Sequence, residues 1–251
     1  MGKVIALVNQ KGGVGKTTVT LGLASAAWAA GHRVLVIDLD PQGSSTWVLG
    51  TDPSKVTFST AELFDKRRAA DAVVASTWGE EVSLIPASKR LQSNEIGRPR
   101  RLRKALADLA EQYDAVLIDC PPSLGNLTTN GLAAADLALI VVEPSALSLR
   151  GIGAVADLID EVWDEHNPAL ELAGVIVNRV PGVSNEAGRR FEELTRMVGA
   201  KALWEPVVPQ RVILTEAVGE RFPIHAYGAR ATEVTAAFDA LWERLRELSL
   251  T

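Results

Sequence analysis

The apolar positions of this chain fall into short continuous runs, separated by longer stretches with helical periodicity. Six of these runs are rich in β-branched residues, and they cover residues 4–9, 33–38, 82–85, 115–119, 137–142 and 172–178. Continuous apolar runs of this length are typical of strands that are buried on both faces, as in a parallel sheet. The pattern therefore predicts a central sheet that contains these six strands.

The stretches between the apolar runs predict helices over residues 17–30, 100–113, 151–165 and 186–198. Because strands and helices alternate, the chain is expected to form an α/β fold with a doubly wound, mostly parallel sheet flanked by helices. A length of 251 residues suits one such domain over residues 1–251. Residues 51–59 and 181–185 are predicted to be surface loops within that domain.

Composition narrows the class of protein. Hydrophobic residues make up 47% and charged residues 23% of the chain, and no apolar stretch reaches the roughly 18 residues that a membrane span needs. The single cysteine, Cys120, excludes an intramolecular disulfide scaffold, so a reducing cytoplasm is the expected compartment. The net charge of -5 means that any contact with nucleic acid would have to use a local basic patch.

The most informative motif lies between the first predicted strand and the first predicted helix. Residues 10–17 fit the phosphate-loop pattern G-x-x-x-x-G-K-[ST] except at the first position, where Gln10 replaces glycine. Lys16 is predicted to hold the β- and γ-phosphates of ATP, and Thr17 to bind Mg²⁺. The predicted nucleotide-binding residues in this segment are Lys11, Gly12, Gly13, Val14, Gly15, Lys16, Thr17 and Thr18.

Acidic residues follow two other predicted strands. Asp38 ends the second run and Asp40 lies two residues after it, while Asp119 ends the fourth run. Ligands of open α/β sheets bind beyond the carboxyl ends of the strands, and an apolar strand that ends in aspartate is the Walker B pattern. Asp119 is therefore predicted to support Mg²⁺. Turn formation is the alternative role for these acids, because Asp-Pro and Pro-Pro favour turns, and it remains open for Asp38 in particular.

The segment Lys11-Gly-Gly-Val-Gly-Lys16-Thr-Thr resembles the deviant Walker A motif of the ParA/MinD family, and the chain is most similar to the ParA/Soj-type partition ATPases. The resemblance implies that Lys11 reaches the phosphates of the opposite subunit in an ATP-bound homodimer. It also implies that Asp40 is the switch aspartate that positions the attacking water and contributes to the metal site. The implied catalytic residues are thus Lys11, Lys16 and Asp40, and the implied metal residues are Thr17, Asp40 and Asp119.

The resemblance extends to the adenine end of the site. It implies that the asparagine at a later strand end, Asn178, contacts adenine and that a proline further along flanks the base. The candidates for the second position are Pro206 or Val207. An asparagine side chain carries both a donor and an acceptor, so it can recognise a purine edge. The alternative, a turn-forming asparagine, remains open.

The function implied by the resemblance is ATP hydrolysis coupled to DNA partition. Such a protein dimerises with ATP, binds DNA without sequence preference at the nucleoid, and is released when a ParB-like partner stimulates hydrolysis. Because the phosphate loop begins near residue 10, no helix-turn-helix domain is expected before it, and DNA contacts would use surface cations. The candidates are Arg189, Arg190, Lys201, Arg221 and Arg230, each of which is otherwise a solvated charge.

Three other functions use the same fold. A MinD-like, protein-positioning ATPase would need a basic amphipathic helix for membrane binding. Residues 236–250 are amphipathic, but their acids outnumber their bases, so we expect this helix to pack on the core and membrane binding to be absent. An iron–sulfur reductase on this fold needs two cysteines per chain, and a biosynthetic enzyme needs a substrate pocket that the sequence does not identify. The loop at residues 142–145 departs from the family pattern and leaves partner binding open.

Overall fold

The structure is a computed structural model, and it describes residues 2–64, 68–92, 99–182 and 185–250. Its strands are β1 (Lys3–Val8), β2 (Val34–Asp38), β3 (Val74–Ser76), β4 (Gly79–Ile85), β5 (Ala115–Asp119), β6 (Leu137–Val142), β7 (Glu171–Val177) and β8 (Leu203–Trp204). Within the described residues these strands form one sheet in the order β3-β4-β2-β5-β1-β6-β7-β8. All neighbours are parallel except the β3–β4 pair at one edge.

Helices cover both faces of this sheet, as the doubly wound prediction requires. They are α1 (Lys16–Ala29), α2 (Ser44–Val48), α3 (Thr60–Phe64), α4 (Arg101–Leu106), α5 (Asn126–Ala134), α6 (Ala146–Glu165), α7 (Asn185–Val198), α8 (Val212–Glu220) and α9 (Thr232–Leu250). Alternate residues of β1 belong to different hydrophobic clusters: Ala6 lies in the cluster with α4, α5 and α6, and Leu7 in the cluster with α1 and α9. The sheet is therefore buried on both sides, which is why its strands are continuously apolar.

The six predicted strands are confirmed. Their ends agree with the prediction to within one residue, except that β4 begins three residues earlier than expected. The helix predicted at residues 100–113 was too long, because α4 ends at Leu106 and is followed by a short 3₁₀ turn at Ala110–Gln112. The helix predicted at 151–165 was too short, because α6 begins at Ala146. Residues 51–59 form the expected loop, whereas 183 and 184 in the second predicted loop lie outside the described residues.

The C-terminal amphipathic helix packs on the core, as predicted. Phe238, Leu241 and Trp242 of α9 are buried, and α9 lies against α1. The contact is close at Gly22, where an added Cβ would lie 2.2 Å from the Phe238 ring. The apolar face of α9 is therefore occupied within this chain. In the described part of the chain, no helix combines the length and the apolar character that crossing a membrane requires.

The topology gathers three strand ends at one place. β1 lies between β5 and β6, and the chain leaves β1 for α1 on one face but leaves β5 for α5 on the other. Such a reversal of strand order opens a crevice at the carboxyl edge of the sheet. In the β2–β5 pair Asp38 is directly opposite Asp119, and Leu7 of β1 is opposite Asp119 on its other side. The acids and the phosphate loop therefore share this edge.

Candidate nucleotide and magnesium site

The loop between β1 and α1 has a backbone that only glycine accommodates well. Gly13 and Gly15 have positive φ angles of 83° and 88°, in the region that disfavours side chains. An added Cβ at Gly15 would also lie 2.1 Å from Asn178 Nδ2. Helix α1 begins at Lys16, directly after Gly15, so its unpaired N–H groups open towards this loop. A glycine loop followed at once by a helix N-terminus is suited to holding phosphate groups.

Lys16 places a buried cation beside the loop. Its side chain is largely buried, and Nζ donates a hydrogen bond to the Asn9 carbonyl oxygen at 3.2 Å. Burial lowers the pKa of Lys16, and the charges of Asp119, Cys120 and Asp40 oppose that change. A buried ammonium group gains most from an additional anion, because little water is present to solvate it. The position of Lys16 therefore favours an anionic ligand at the loop.

Asp119 provides the features expected of a magnesium site. Its Oδ2 accepts hydrogen bonds from Thr17 Oγ1 at 2.7 Å and from Ser45 Oγ at 2.6 Å. Its Oδ1 is buried and has no hydrogen-bond partner among the described residues. Burial raises the pKa of Asp119, whereas the two hydroxyl groups and Lys16 lower it. Carboxylate and hydroxyl oxygens are ligands that Mg²⁺ prefers, so the residues present fit this ion.

Asp38 organises the turn that follows β2. It is fully buried and accepts hydrogen bonds from the Thr46 backbone N–H at 2.8 Å, the Thr46 hydroxyl at 2.7 Å and the Asp40 N–H at 3.0 Å. Burial and the nearby Asp119 charge raise the pKa of Asp38. Two carboxyl groups on adjacent strand ends disfavour double ionisation, and a divalent cation would relieve that repulsion. Asp38 thus connects the end of β2 to α2 beneath the site.

Asp40 lies above this turn and is half-buried. Its Oδ1 accepts a hydrogen bond from the Gln42 N–H at 2.9 Å, and its charge is one of those that act on Lys16. The structure therefore brings Asp40 into the electrostatic environment of the phosphate-loop lysine. In the described part of the chain, the hydrogen bonds of Asp40 stay within its own turn, in contrast to the direct Thr17–Asp119 contact.

Lys11 is engaged within its own chain. Its ammonium group forms an ion pair with Glu143 Oε1 and donates to Ser145 Oγ at 3.2 Å. Its backbone N–H donates to Asn9 Oδ1 at 2.8 Å. Glu143 and Ser145 follow β6 and belong to the loop whose sequence departs from the family pattern. The residue implied to act across a dimer thus has an intrachain anion as its partner.

A cavity of about 340 Å³ beside the loop lies where the resemblance implies the adenosine end. Asn178 lines this cavity, and its Nδ2 donates to the Val14 carbonyl oxygen at 2.8 Å. Asn178 Oδ1 is buried without a hydrogen-bond partner among the described residues. Pro206 does not line this cavity, and Val207 lines a different one. Gln210 and Arg211 line the cavity together with Asn178.

Sequence reasoning missed the contribution of α2. Ser45 and Thr46 donate to the two buried acids, and Gly43, with φ of 67°, permits the turn that precedes them. The available signal was a run of hydroxyl residues directly after Asp40-Pro41-Gln42-Gly43. Five residues are too few to show helical periodicity, so α2 itself was not predictable by that means.

The four candidate DNA-binding arginines are already engaged with other side chains. Arg189 and Arg190 both pair with Glu186, and Arg190 also contacts Glu193 at 2.7 Å. The remaining two make separate contacts: Arg230 lies 2.7 Å from Glu216, and the Arg221 guanidinium lies over the Trp47 ring at 5.1 Å. Neighbouring carboxylates therefore compensate most of the positive charge on which that prediction relied.

Comparison with known proteins places the chain in a family. Residues 2–172 match the family described as an AAA domain. An uncharacterised protein of Mycobacterium tuberculosis is 41% identical over 184 residues, which is 70% of this chain and 58% of that protein. The chromosome partitioning protein ParA of Myxococcus xanthus is 35% identical over 92% of this chain and 83% of its own length. The sporulation initiation inhibitor protein Soj of Bacillus subtilis is 34% identical over 92% of this chain and 93% of its own length.

Solved structures of similar proteins contain the expected ligands. Cobyrinic acid a,c-diamide synthase from Mycobacterium smegmatis, with bound ADP and magnesium, is 34% identical, with a TM-score of 0.76 over 88% of this chain and 91% of that one. The septum site-determining protein MinD from Pyrococcus horikoshii, complexed with Mg-ADP, is 25% identical, with a TM-score of 0.78 over 99% and 98% of the two chains.

These likenesses agree with the geometry of the site. The glycine loop, the buried Lys16 and the Thr17–Asp119 pair occupy the carboxyl edge of a mostly parallel sheet. The B. subtilis and M. xanthus matches extend over nearly the whole chain. The chain therefore belongs to the ParA/Soj family of P-loop ATPases with a deviant Walker A motif.

Proposed function

We propose that this chain is a single-domain, ParA-like ATPase that binds ATP and Mg²⁺, dimerises with ATP, and binds DNA without sequence preference until hydrolysis releases it. Its role would be chromosome or plasmid partitioning in the cytoplasm, at the nucleoid, with a ParB-like protein stimulating hydrolysis. The observation that carries the proposal is the buried Asp119 carboxylate. Its Oδ2 accepts a hydrogen bond from Thr17 at 2.7 Å, and its Oδ1 has no hydrogen-bond partner among the described residues. The M. xanthus relative, which is named for chromosome partitioning, supports the partition role.

The nucleotide chemistry follows from where the charges lie. Lys16 and the loop N–H groups would hold the phosphates, and Thr17 and Asp119 would hold Mg²⁺. When bound, the ion neutralises negative charge on the phosphate oxygens. Asp40, whose negative charge interacts with Lys16, would orient the attacking water. Asn178 would present its unpartnered oxygen to the adenine amino group.

The proposed role of Lys11 requires a change of partner. For Lys11 to reach the nucleotide of a second subunit, its ammonium group must leave Glu143 and Ser145. The Lys11 and Glu143 side chains are 30% and 22% exposed, so solvent reaches their ion pair and screens it in part. The phosphates of an ATP-bound partner offer a larger negative charge. We propose that dimerisation exchanges the first partner for the second.

DNA binding in this scheme depends on dimerisation. The chain carries a net charge of -5, so one subunit offers few contacts in a field that repels DNA. Two subunits double the contacts along one duplex, and the second contact becomes intramolecular. ATP would therefore control DNA affinity through the assembly state. The contacts would be made to the phosphate backbone and would not depend on base sequence.

A titration of DNA binding against salt tests this proposal. Binding of a random-sequence duplex is measured with ATP, with ADP and without nucleotide. Binding should require ATP, should not depend on base sequence, and should weaken steeply with salt because each neutralised phosphate releases counterions. Absence of binding in every state at low salt would contradict the DNA role.

A MinD-like positioning function is the second candidate, favoured by the likeness to the P. horikoshii protein. Anionic lipid vesicles in the same assay distinguish it, because a membrane-positioning ATPase would bind vesicles with ATP. The burial of Phe238, Leu241 and Trp242 in α9 supports the opposite outcome, since that face is already packed in the core. Vesicle binding without DNA binding would favour the MinD-like function.

A further inference from the structure

A basic cleft lies on the side of the sheet that carries α3 and α4. It has a volume of about 330 Å³, and its walls are formed by Leu63 of α3, by residues 68–70 and by six residues between positions 101 and 112. Among the residues that the structure describes, the charged ones that line it are Arg68, Arg101, Lys104 and Asp108. We call this feature the α4 cleft. It thus combines three cations and one acid in a chain whose overall charge is negative.

The three cations of the α4 cleft are available to a ligand. Among the residues that the structure describes, no ion pair or side-chain hydrogen bond engages Arg68, Arg101 or Lys104. Arg68 and Lys104 are exposed, and Arg101 is half-exposed. Arg101 and Lys104 are three positions apart in α4, which places them on the same face of the helix.

Neighbouring arginines fix the orientation of that face. Arg100 donates from Nη2 to the Glu165 carbonyl oxygen at 2.8 Å and from Nε to the His166 carbonyl oxygen at 2.7 Å. Arg103 donates to Asn167 Oδ1. These contacts attach α4 to the end of α6. The cations of residues 100–104 therefore have two roles. Arg100 and Arg103 hold the helix in place, whereas Arg101 and Lys104 line the cleft.

We infer that the α4 cleft is the surface through which this chain contacts the phosphate backbone of DNA, with Arg68, Arg101 and Lys104 each neutralising one phosphate. The inference rests on the DNA binding proposed above and assigns its location. A cation without an ion-pair partner can bind a DNA phosphate directly, and the released counterions then favour binding. Arg189 and Arg190 would first have to break their ion pairs with the carboxylates of α7. Contacts to phosphate oxygens carry no base information, so binding at the cleft would be independent of sequence.

Both walls of the cleft are attached to the carboxyl edge of the sheet, where the phosphate loop and the buried acids lie. We call this region the nucleotide edge. At the start of α3, Thr60 Oγ1 donates to the Asp38 carbonyl oxygen at 2.8 Å and to the Pro86 carbonyl oxygen at 3.1 Å. On the opposite wall, α4 packs against α5, the helix that follows Asp119 and β5. The DNA surface would thus be supported by the same strand ends that carry the buried acids.

A pair of charge reversals tests the assignment. The variant Arg101→Glu/Lys104→Glu is compared with Arg189→Glu/Arg190→Glu in the ATP-bound state. We expect the cleft variant to lose about tenfold or more in DNA affinity, and its slope of log K against log salt to fall by about 2. The α7 variant should remain close to the wild type. ATP binding by both variants, measured in parallel, confirms that they fold.

A gain of affinity provides the complementary test. Asp108→Asn removes the acid that lines the cleft, and it should strengthen DNA binding severalfold, a result that misfolding does not produce. If the wild type binds DNA and the cleft variant binds equally well, the assignment is wrong while the proposed DNA role stands. Loss of affinity in the α7 variant alone would likewise overturn it. If the wild type binds no DNA in any nucleotide state, both proposals fall.

Discussion

The nucleotide edge and the α4 cleft both depend on charged side chains, but the two regions hold them differently. At the edge, Lys16, Asp38 and Asp119 are buried, and each has hydrogen-bond partners supplied by the phosphate loop, α1 or α2. In the cleft, Arg68 and Lys104 are exposed and face an open cavity. The edge is preorganised for one ligand, whereas the cleft can accept any phosphate that approaches.

The difference has an energetic consequence. A buried charge without its partner costs several kcal/mol, so each change at the edge should have a large effect. An exposed charge contributes on the order of 1 kcal/mol or less, and one phosphate contact can replace another. Single substitutions should therefore abolish function at the edge, and only combined substitutions should do so at the cleft.

The largest expected effect is that of Lys16→Ala. The change removes the buried cation next to the glycine loop, so binding of ATP should be lost because the phosphate charge has no compensating group. Isothermal titration with ATP and Mg²⁺ measures this. Lys55→Ala is the matched control, since Lys55 is exposed and its ion pair, with Asp52, lies at the surface. Undiminished ATP binding by Lys16→Ala would contradict the assignment of the edge.

Gly15→Ala tests the shape of the loop instead of its charge. The left-handed backbone and the 2.1 Å approach to Asn178 Nδ2 should destabilise the protein by about 1–3 kcal/mol and weaken ATP binding. Thermal unfolding and ATP titration are the measurements. Gly188→Ala in α7 provides the control, because an added Cβ there meets nothing within 4 Å and should be neutral or slightly stabilising. Equal stability of the two variants would disprove the steric argument.

Glu143→Gln should have a smaller effect, which concerns assembly. Removing the negative charge removes the ion pair between Lys11 and Glu143. The ATP-dependent dimer should therefore form up to about fivefold more readily. Sedimentation with a slowly hydrolysed ATP analogue measures the dissociation constant of the dimer. Glu192→Gln, which alters an exposed ion pair with Arg196, is the control. Unchanged or weaker dimerisation in Glu143→Gln would argue against the exchange of partners.

A further effect concerns pH and the buried acid pair. Burial and Asp119 raise the pKa of Asp38 to about 8, compared with about 3.9 in an unfolded chain. The folded state therefore retains this proton, and its contribution to stability is complete below about pH 4 and is lost as the pH rises through about 8. Asp38→Asn removes the titration, so the nucleotide-free variant should lose less stability between pH 5 and pH 8. A loss equal to that of the wild type, measured by thermal unfolding, would contradict this.

The strand pattern was sufficient to predict the centre of the fold. Continuous apolar runs identified β1, β2, β5, β6 and β7 almost to the residue, because a strand buried on both faces has little tolerance for polar positions. The short elements β3 and β8 were missed, since two or three residues carry no periodicity. The end of α4 at Leu106 was missed for a related reason: the next turn continues locally as 3₁₀, and the sequence pattern does not distinguish the two.

Within the site, the sequence predicted the residues that directly follow strand ends. It did not predict contacts that depend on the path of a distant loop or on side-chain conformation. Asp119 and Lys16 are fixed by a motif and by the sheet edge. The Lys11–Glu143 ion pair joins residues 132 positions apart and depends on the path of the loop after β6. The pairing of Arg190 with Glu186 and Glu193 depends on side-chain conformations on α7. The five basic residues among positions 98–104 were a signal in the sequence that pointed to the α4 cleft.

Phosphate release from ATP by the wild type and by Asp40→Ala tests most directly that this sheet edge is an ATP-hydrolysing switch. Asp40 lies in the electrostatic environment of Lys16 without direct contact with the Thr17–Asp119 pair, so its loss should spare ATP binding. We predict that the variant binds ATP like the wild type and accumulates as the dimer, while phosphate release falls by about 100-fold, the scale expected when a positioning group is removed. Phosphate release at the wild-type rate by Asp40→Ala would contradict the account.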